Sequence, residues 1–238
     1  MSCFSAVDES AHYGFSVCML LKQYREQLSW VDQGVAELGT GDATAIADVV
    51  AALPELRVRS FDISASSVEH ARENIAARGV ADRYTVEFGD FFDRADSAAA
   101  PPVSTVIANP PYIPAPDRDI LMPELWGGVY GNDLVLQLLK AGYRDVITAV
   151  PSYADPVTTV RTAADLGYRV ANFLAMGLDY GEYSSEPKVR DHIRRLCAEG
   201  RGWAGDDEYM VAVALFTQEP DIPGDRAAQL LRALQLPA

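Results

Sequence analysis

Short apolar runs of strand length alternate with helix-patterned segments along most of the chain, and that alternation leaves few architectures open. Val35-Ala36-Glu37-Leu38 precedes residues 44–53, which are rich in Ala, Ile and Val and read as a helix. A strand over 57–61 ends at Asp62, and a helix over 64–78 follows, with Ser64 as its cap and Gly79 just past its end. Strand 84–88 closes on Gly89-Asp90, Pro101-Pro102 marks a turn, and the apolar run 103–108 feeds directly into Asn109. Helix 134–141, strand 146–150, helix 156–166 and strand 169–176 continue the alternation, with strand 209–216 near the end. Before all of these, Val17, Leu20, Leu21, Tyr24 and Leu28 recur at helical spacing, so the first segment is a helix over 16–28 with one packing face. A further helix is expected in the tail over 225–236, from Leu230, Leu231 and Leu234.

Strands and helices at this pitch build a doubly wound α/β fold, an open and mostly parallel sheet with helices on both faces. Ligands bind such sheets at the carboxyl ends of the strands, near the switch in strand order. Asp42, Asp62, Asp90 and Asn109 all fall at or just past predicted strand ends, so one sheet edge can gather them.

Bulk properties narrow the function classes. The 238 residues are 49% hydrophobic and 23% charged, which fits a globular chain with one large core. No basic leader followed by an apolar run opens the chain, and no stretch of about 18 apolar residues occurs, so no membrane span and a cytoplasmic location are expected. A net charge of -14 speaks against a long nucleic-acid interface. Cys3, Cys18 and Cys197 are widely spaced, and with three histidines no metal centre is expected. The one basic cluster, Lys188, Arg190, His192, Arg194, Arg195 and Arg201, reads either as an anion contact or as a solvated helix face.

Between the first strand and its helix, Gly39 and Gly41 allow a tight turn with close approach to a ligand. The third glycine of a dinucleotide fingerprint is missing. Glu37 would repel a pyrophosphate, so its carboxylate suits a cationic ligand. Asp62 stands where an acid accepts hydrogen bonds from both ribose hydroxyls, and Asp90 can accept from an exocyclic adenine amine with Phe91 as an apolar surface. The alternative for each Asp is a cap on the helix that follows.

Asn109-Pro110-Pro111-Tyr112 carries the chemistry. The Asn109 side-chain oxygen and the Pro110 carbonyl can each accept a hydrogen bond from one substrate -NH2 group, aiming its lone pair and favouring positive charge on nitrogen. Two prolines stiffen the backbone that carries these acceptors, and neither adds a competing N–H. Tyr112 can stack on a planar nitrogen-bearing group.

Together these residues resemble the class I S-adenosylmethionine-dependent methyltransferases, over about residues 35–216. The resemblance implies a sheet of seven strands with 209–216 antiparallel. It further implies a cofactor site from Glu37, Gly39, Thr40, Gly41, Asp62, Ile63, Asp90, Phe91 and Asn109, with catalysis by Asn109, Pro110 and Tyr112. Pro123-Glu124-Leu125-Trp126-Gly127-Gly128 and Gly131-Asn132-Asp133-Leu134 are similar to segments of the enzymes that methylate glutamine side chains in peptide release factors and a ribosomal protein, although Pro123 and Glu124 are in the reverse of the usual order. Those relatives carry a helical domain of some seventy residues before the core. Here residues 1–33 are expected to be a helical lid in which Tyr13, Phe15 and Tyr24 either line the site or pack, 34–216 the methyltransferase domain, and 217–238 a helical tail. The expectation is therefore N-methylation of an amide, amine or other planar nitrogen on a small molecule, with a protein glutamine as the alternative acceptor and an adenine N6-methyltransferase or a non-catalytic binding protein ranked behind these. The stretch 178–207 is expected as an insertion that either walls the pocket or runs over the surface.

Overall fold

The computed structural model describes residues 7–94 and 103–236, and the expected turn at Pro101-Pro102 lies outside them. The first helix, α1 (Val7–Gln23), begins earlier than its apolar period and ends where Tyr24 N and Leu28 N bond to Leu20 O and Tyr24 O in successive turns. A one-turn α2 (Trp30–Gln33) leads into β1 (Val35–Leu38), then α3 (Thr44–Ala52), β2 (Val58–Asp62), α4 (Ala65–Ala77) and β3 (Tyr84–Phe88). After the short α5 (Phe91–Arg94) come β4 (Thr105–Ala108), a 3-10 turn (Pro123–Leu125), α6 (Asp133–Lys140) and β5 (Asp145–Pro151). The remainder is α7 (Pro156–Asp165), β6 (Arg169–Asp179), α8 (Pro187–Ala198), β7 (Glu208–Thr217) and α9 (Ala227–Ala233).

The strands form one sheet in the order β3-β2-β1-β4-β5-β7-β6, with β3, β2, β1 and β4 parallel neighbours and β7 antiparallel to β6. Chain order runs outward from β1 to β3 and then crosses to β4 on the other side of β1. The switch point of the sheet thus lies between β1 and β4. This is the class I methyltransferase arrangement, with the antiparallel strand at the expected place.

Two compact units divide the chain. The first comprises Met1–Asn109 with Tyr143–Ile147, and the second Pro110–Gly142 with Thr148–Ala238. In the first, every residue of β1 and β4 is buried, as central parallel strands require. Helix α1 packs on α3, where a Cβ at Gly14 would stand 2.9 Å from Ala45 O, and its Val17, Leu20 and Leu21 are fully buried, each contributing about 1.5–3 kcal/mol. In the second unit, α9 docks on β6 and α7; Asp225 Oδ1 accepts from Val170 N at 3.1 Å and from Ala227 N at 3.0 Å. Helix α8 occupies much of the stretch read as an insertion. Pro187 starts it, and Val189 and Ile193 belong to a core cluster with Tyr112, Tyr153 and Tyr209.

Candidate active site

At the switch point β1 carries an acidic side chain where a central strand should be apolar. Glu37 is aligned with Ser60 of β2 and Ile107 of β4, and is only 2% exposed. The Tyr84 hydroxyl donates to its Oε2. Burial nevertheless pushes the Glu37 carboxyl up to about 8, the Tyr84 bond opposing and the charge of Asp62 reinforcing the shift. Tyr13 of α1 lies close enough to feel this carboxylate: burial first, then Glu37, holds its hydroxyl well above the usual range. That hydroxyl, like the Ser16 Oγ, is buried and finds no hydrogen-bond partner among the described residues.

The glycine turn follows β1. Gly39 and Gly41 have φ of 75° and 56°, and a Cβ at either would meet nothing within 4 Å, so the left-handed backbone, and not crowding, calls for glycine. Gly41 N donates to Asp62 Oδ2 at 3.1 Å and Ser64 N to Asp62 Oδ1 at 2.8 Å, so the Asp62 carboxylate ties the turn to the end of β2. Each oxygen keeps a second lone pair for a ligand hydroxyl. Thr40 is buried, its hydroxyl bonded to that of Ser60. Asp42 Oδ1 accepts from Thr44 N at 2.9 Å and starts α3.

Past β3, Asp90 Oδ1 accepts from Phe92 N at 2.8 Å, the capping arrangement open in the sequence. Phe91, expected as an apolar surface for the adenine, packs in the core. It is 4% exposed, with its ring edge-to-face on Phe61 at 5.7 Å, so its apolar surface is spent on packing. The exposed apolar side chains beside Asp62 and Asp90 are Ile63, at 73%, and Phe88, whose backbone is aligned with Asp62.

Asn109 follows directly on β4. Leu38 and Ala108 are partners in the parallel register, so the glycine turn and Asn109 leave neighbouring strands at the same level. The Asn109 Nδ2 donates to Glu9 Oε1 of α1 at 3.0 Å. Its Oδ1 is buried and has no hydrogen-bond partner among the described residues. A buried amide oxygen left unpaired costs about 1–3 kcal/mol, a cost that a ligand N–H would remove.

The second unit holds the rest of the loop. A Cβ at Gly127 would stand 2.5 Å from Tyr112 Cα and 2.8 Å from Pro111 O, so the glycine lets two backbones touch. Gly127 N donates to Ile113 O at 2.9 Å and Ile113 N to Leu125 O at 3.0 Å, pinning the loop from its far side. Pro110 is buried. Where a stacking surface was expected at Tyr112, the structure shows a packed ring, its hydroxyl 3.4 Å from that of Tyr209 and its centroid 6.0 Å from that of Tyr153.

The basic cluster is engaged within the second unit. Lys188 pairs with Asp117, Arg190 lies over Tyr180 and donates to Asp206 O, Arg194 pairs with Asp191, Arg195 with Glu199, and Arg201 with Asp155. This is the helix-face alternative with specific partners. On α1, Tyr13 is buried and Phe15 is 60% exposed. Sequence reasoning missed Glu9 and Tyr84, the partners of Asn109 and Glu37. No spacing rule links residues so far apart; the only available signal was an acidic residue in the first turn of a helix preceding β1.

No protein-family model matches the chain. In sequence it is similar to the release factor glutamine methyltransferase of Gloeobacter violaceus, 28% identical over 189 residues, covering 76% of this chain and 58% of that protein. It is also similar to the release factor glutamine methyltransferase of Cereibacter sphaeroides, 37% identical over 39% of this chain and 32% of that one. A third relative is the ribosomal protein uL3 glutamine methyltransferase of Bordetella pertussis, 30% identical over 44% and 37%. The chain thus spans less than two thirds of the curated relatives it matches. Among solved structures it resembles a methyltransferase from Pyrococcus furiosus with a TM-score of 0.50 and 14% identity, over 86% of this chain and 82% of that one. It likewise resembles precorrin-6y C5,15-methyltransferase from Geobacter metallireducens, with a TM-score of 0.50 and 13% identity, over 84% and 87%. The fold is therefore that of the class I methyltransferases, and the sequence is similar to the glutamine-methylating ones. The expected preference for a small-molecule acceptor has no support in these sequence relatives, which are named for glutamine in a release factor or a ribosomal protein. Among the described residues no helix is long and apolar enough to cross a membrane.

Proposed function

We propose that the chain is an S-adenosylmethionine-dependent N-methyltransferase that acts on the side-chain amide of a glutamine in a protein of the translation apparatus, a release factor or a ribosomal protein. The observation that carries this reading is the Asn109 amide at the end of β4, with its nitrogen held and its buried oxygen waiting for a donor. The names of the sequence relatives supply the acceptor class.

The residues at the switch point fit the cofactor. A buried Glu37 carboxyl, which a nearby cation would drive to ionise, with the unpaired Tyr13 hydroxyl close by, suits an ammonium group, and Asp62 suits a ribose diol. Glu37, Gly39, Thr40, Gly41, Asp62 and Ile63 would hold it, with Asp90 at the adenine end. When bound, S-adenosylmethionine supplies a methyl group on a positively charged sulfur. Asn109 Oδ1 accepts one N–H of the acceptor amide, and the Pro110 carbonyl is assigned the other. As positive charge builds on the acceptor nitrogen during methyl transfer, its N–H groups would grow more acidic and the hydrogen bonds to Asn109 Oδ1 and the Pro110 carbonyl would strengthen. This is stabilisation that rises toward the transition state. Proton loss from that nitrogen to water completes the exchange.

The test uses the full chain with tritiated-methyl S-adenosylmethionine and three acceptors: an unmethylated release factor, ribosomal protein uL3, and free glutamine. Label on a glutamine side-chain nitrogen of one protein, located by mass spectrometry, is the expected result. Label on free glutamine with neither protein modified would overturn the acceptor assignment.

A further inference from the structure

We propose that Glu9 is a positioning residue for methyl transfer, fixing the Asn109 amide in the one orientation that presents its oxygen to the acceptor nitrogen. The proposal rests on the methyltransferase reading above and adds to it a residue on α1. An Asn side chain presents an oxygen on one edge and an -NH2 on the other, and a half-turn about its last bond exchanges them. Nothing in Asn-Pro-Pro-Tyr itself selects between the two. A carboxylate does, because it only accepts hydrogen bonds. Glu9 Oε1, 3.0 Å from Asn109 Nδ2, pairs with the amide in one orientation and faces an oxygen in the other. Losing a hydrogen bond to a charged group makes the flipped form about 10- to 100-fold rarer. The same bond draws electron density toward Oδ1, the buried atom without a partner among the described residues, and makes it a stronger acceptor.

Helix α1 thereby acquires a role besides packing. Its Val17, Leu20 and Leu21 anchor it, and Glu9 lies two turns or more earlier on the same helix. The site reads its orientation from a segment far from β4 in sequence.

Glu9→Ala and Glu9→Gln decide the matter in the full chain. Gln can present an amide oxygen to Asn109 Nδ2, whereas Ala can present nothing. With a release factor as acceptor, E9A lets the amide populate both orientations and removes the polarisation of Oδ1, so kcat is expected to fall at least about twofold while S-adenosylhomocysteine affinity by calorimetry is unchanged; E9Q, whose own amide can turn to pair with either orientation, is expected to recover kcat in part. Equal loss in E9Q and E9A, unchanged kcat in E9A, or a parallel loss of ligand affinity would each overturn the proposal. A second readout needs no turnover. The chain has four Asn residues, so selective 15N-Asn labelling gives four side-chain -NH2 pairs, and the pair absent in N109A belongs to Asn109. One of its protons is expected downfield and slow to exchange, returning toward free-amide values in E9A and only part way in E9Q. A pair that does not move in E9A overturns the proposal. If the unaltered protein methylates nothing, the function reading fails and the resonance alone decides whether Glu9 orients Asn109.

Discussion

Replacing Glu37 by Gln tests the electrostatic centre of the site without requiring a substrate. The carboxyl is buried in β1 and its folded-state value is pushed up from 4.5 to about 8. Between those values the unfolded chain has released this proton and the folded chain has kept it. The unfolded state binds fewer protons, so the stability contributed by Glu37 is fully present below pH 4.5 and falls as pH rises, until it is lost near 8. The slope is about 1.4 kcal/mol per pH unit, which amounts to about 3 kcal/mol by pH 7. Glutamine imitates the protonated carboxyl in shape and does not titrate, so E37Q escapes this loss. Urea unfolding of both proteins at pH 5, 6, 7 and 8 isolates the effect, because every other titrating group cancels in the difference. The variant should gain on the unaltered protein by about 3 kcal/mol as pH rises from 4.5 to 7. A difference that stays flat with pH, or that shrinks, would refute a neutral buried Glu37.

The same carboxyl links pH to ligand binding. An ammonium group brought beside Glu37 favours the ionised form, so at pH 7 binding of S-adenosylmethionine should release about 0.9 proton, the fraction still protonated for a group titrating near 8. Calorimetric titrations in phosphate and in Tris read this number from the difference in apparent enthalpy. E37Q should bind more weakly and release none.

Asn109→Ala should abolish methyl transfer and leave S-adenosylhomocysteine affinity within a few-fold, since Asn109 is assigned to the acceptor nitrogen; a collapse of affinity by calorimetry would contradict that role. Asp62→Ala should weaken ligand binding first, because it removes the acceptor for Gly41 N and Ser64 N together with the ribose contact, and an unchanged Kd would count against it. Gly127→Ala forces a methyl group to 2.5 Å from Tyr112 Cα, so a stability loss of about 1–3 kcal/mol in urea unfolding and a fall in kcat are expected; full activity would show that the backbone contact is dispensable.

Most of the sheet was legible because its strands announce themselves locally. The runs at 35–38 and 84–88 match the strands residue for residue, and Ser64 caps α4 as its position before the helix required, its Oγ accepting from Ser67 N. The acids at the strand ends were legible for the same reason, since a doubly wound fold leaves its loops at one edge. What escaped had no local period or depended on distant partners. The early turns of α1 carry His12, Phe15 and polar residues in place of a clean apolar stripe, so the helix seemed to start at its first buried run. Helix α8 was hidden by its charges, although Val189, Ile193 and Leu196 keep the helical spacing. Phe91 could not be placed from sequence, because an aromatic after an acid at a strand end reads alike whether it faces a ligand or, as here, packs on Phe61.

The switch point divides the chemistry by charge. On its β1–β3 side stand the carboxyl groups of Glu37 within β1, Asp62 at the end of β2 and Asp90 just past β3. On the β4 side stands a neutral amide. Under the proposed function this asymmetry has a reason. The cofactor side must hold a cation through many turnovers, and carboxylates provide lasting attraction there. The acceptor nitrogen begins neutral and gains charge only as its new bond forms, so a full negative charge beside it would hold its protons as firmly before reaction as during it. A neutral oxygen, polarised from behind by Glu9, strengthens its grip as the charge develops, which is the difference that lowers a barrier. Helix α1 thus provides the negative charge at one remove, behind the amide and away from the acceptor nitrogen.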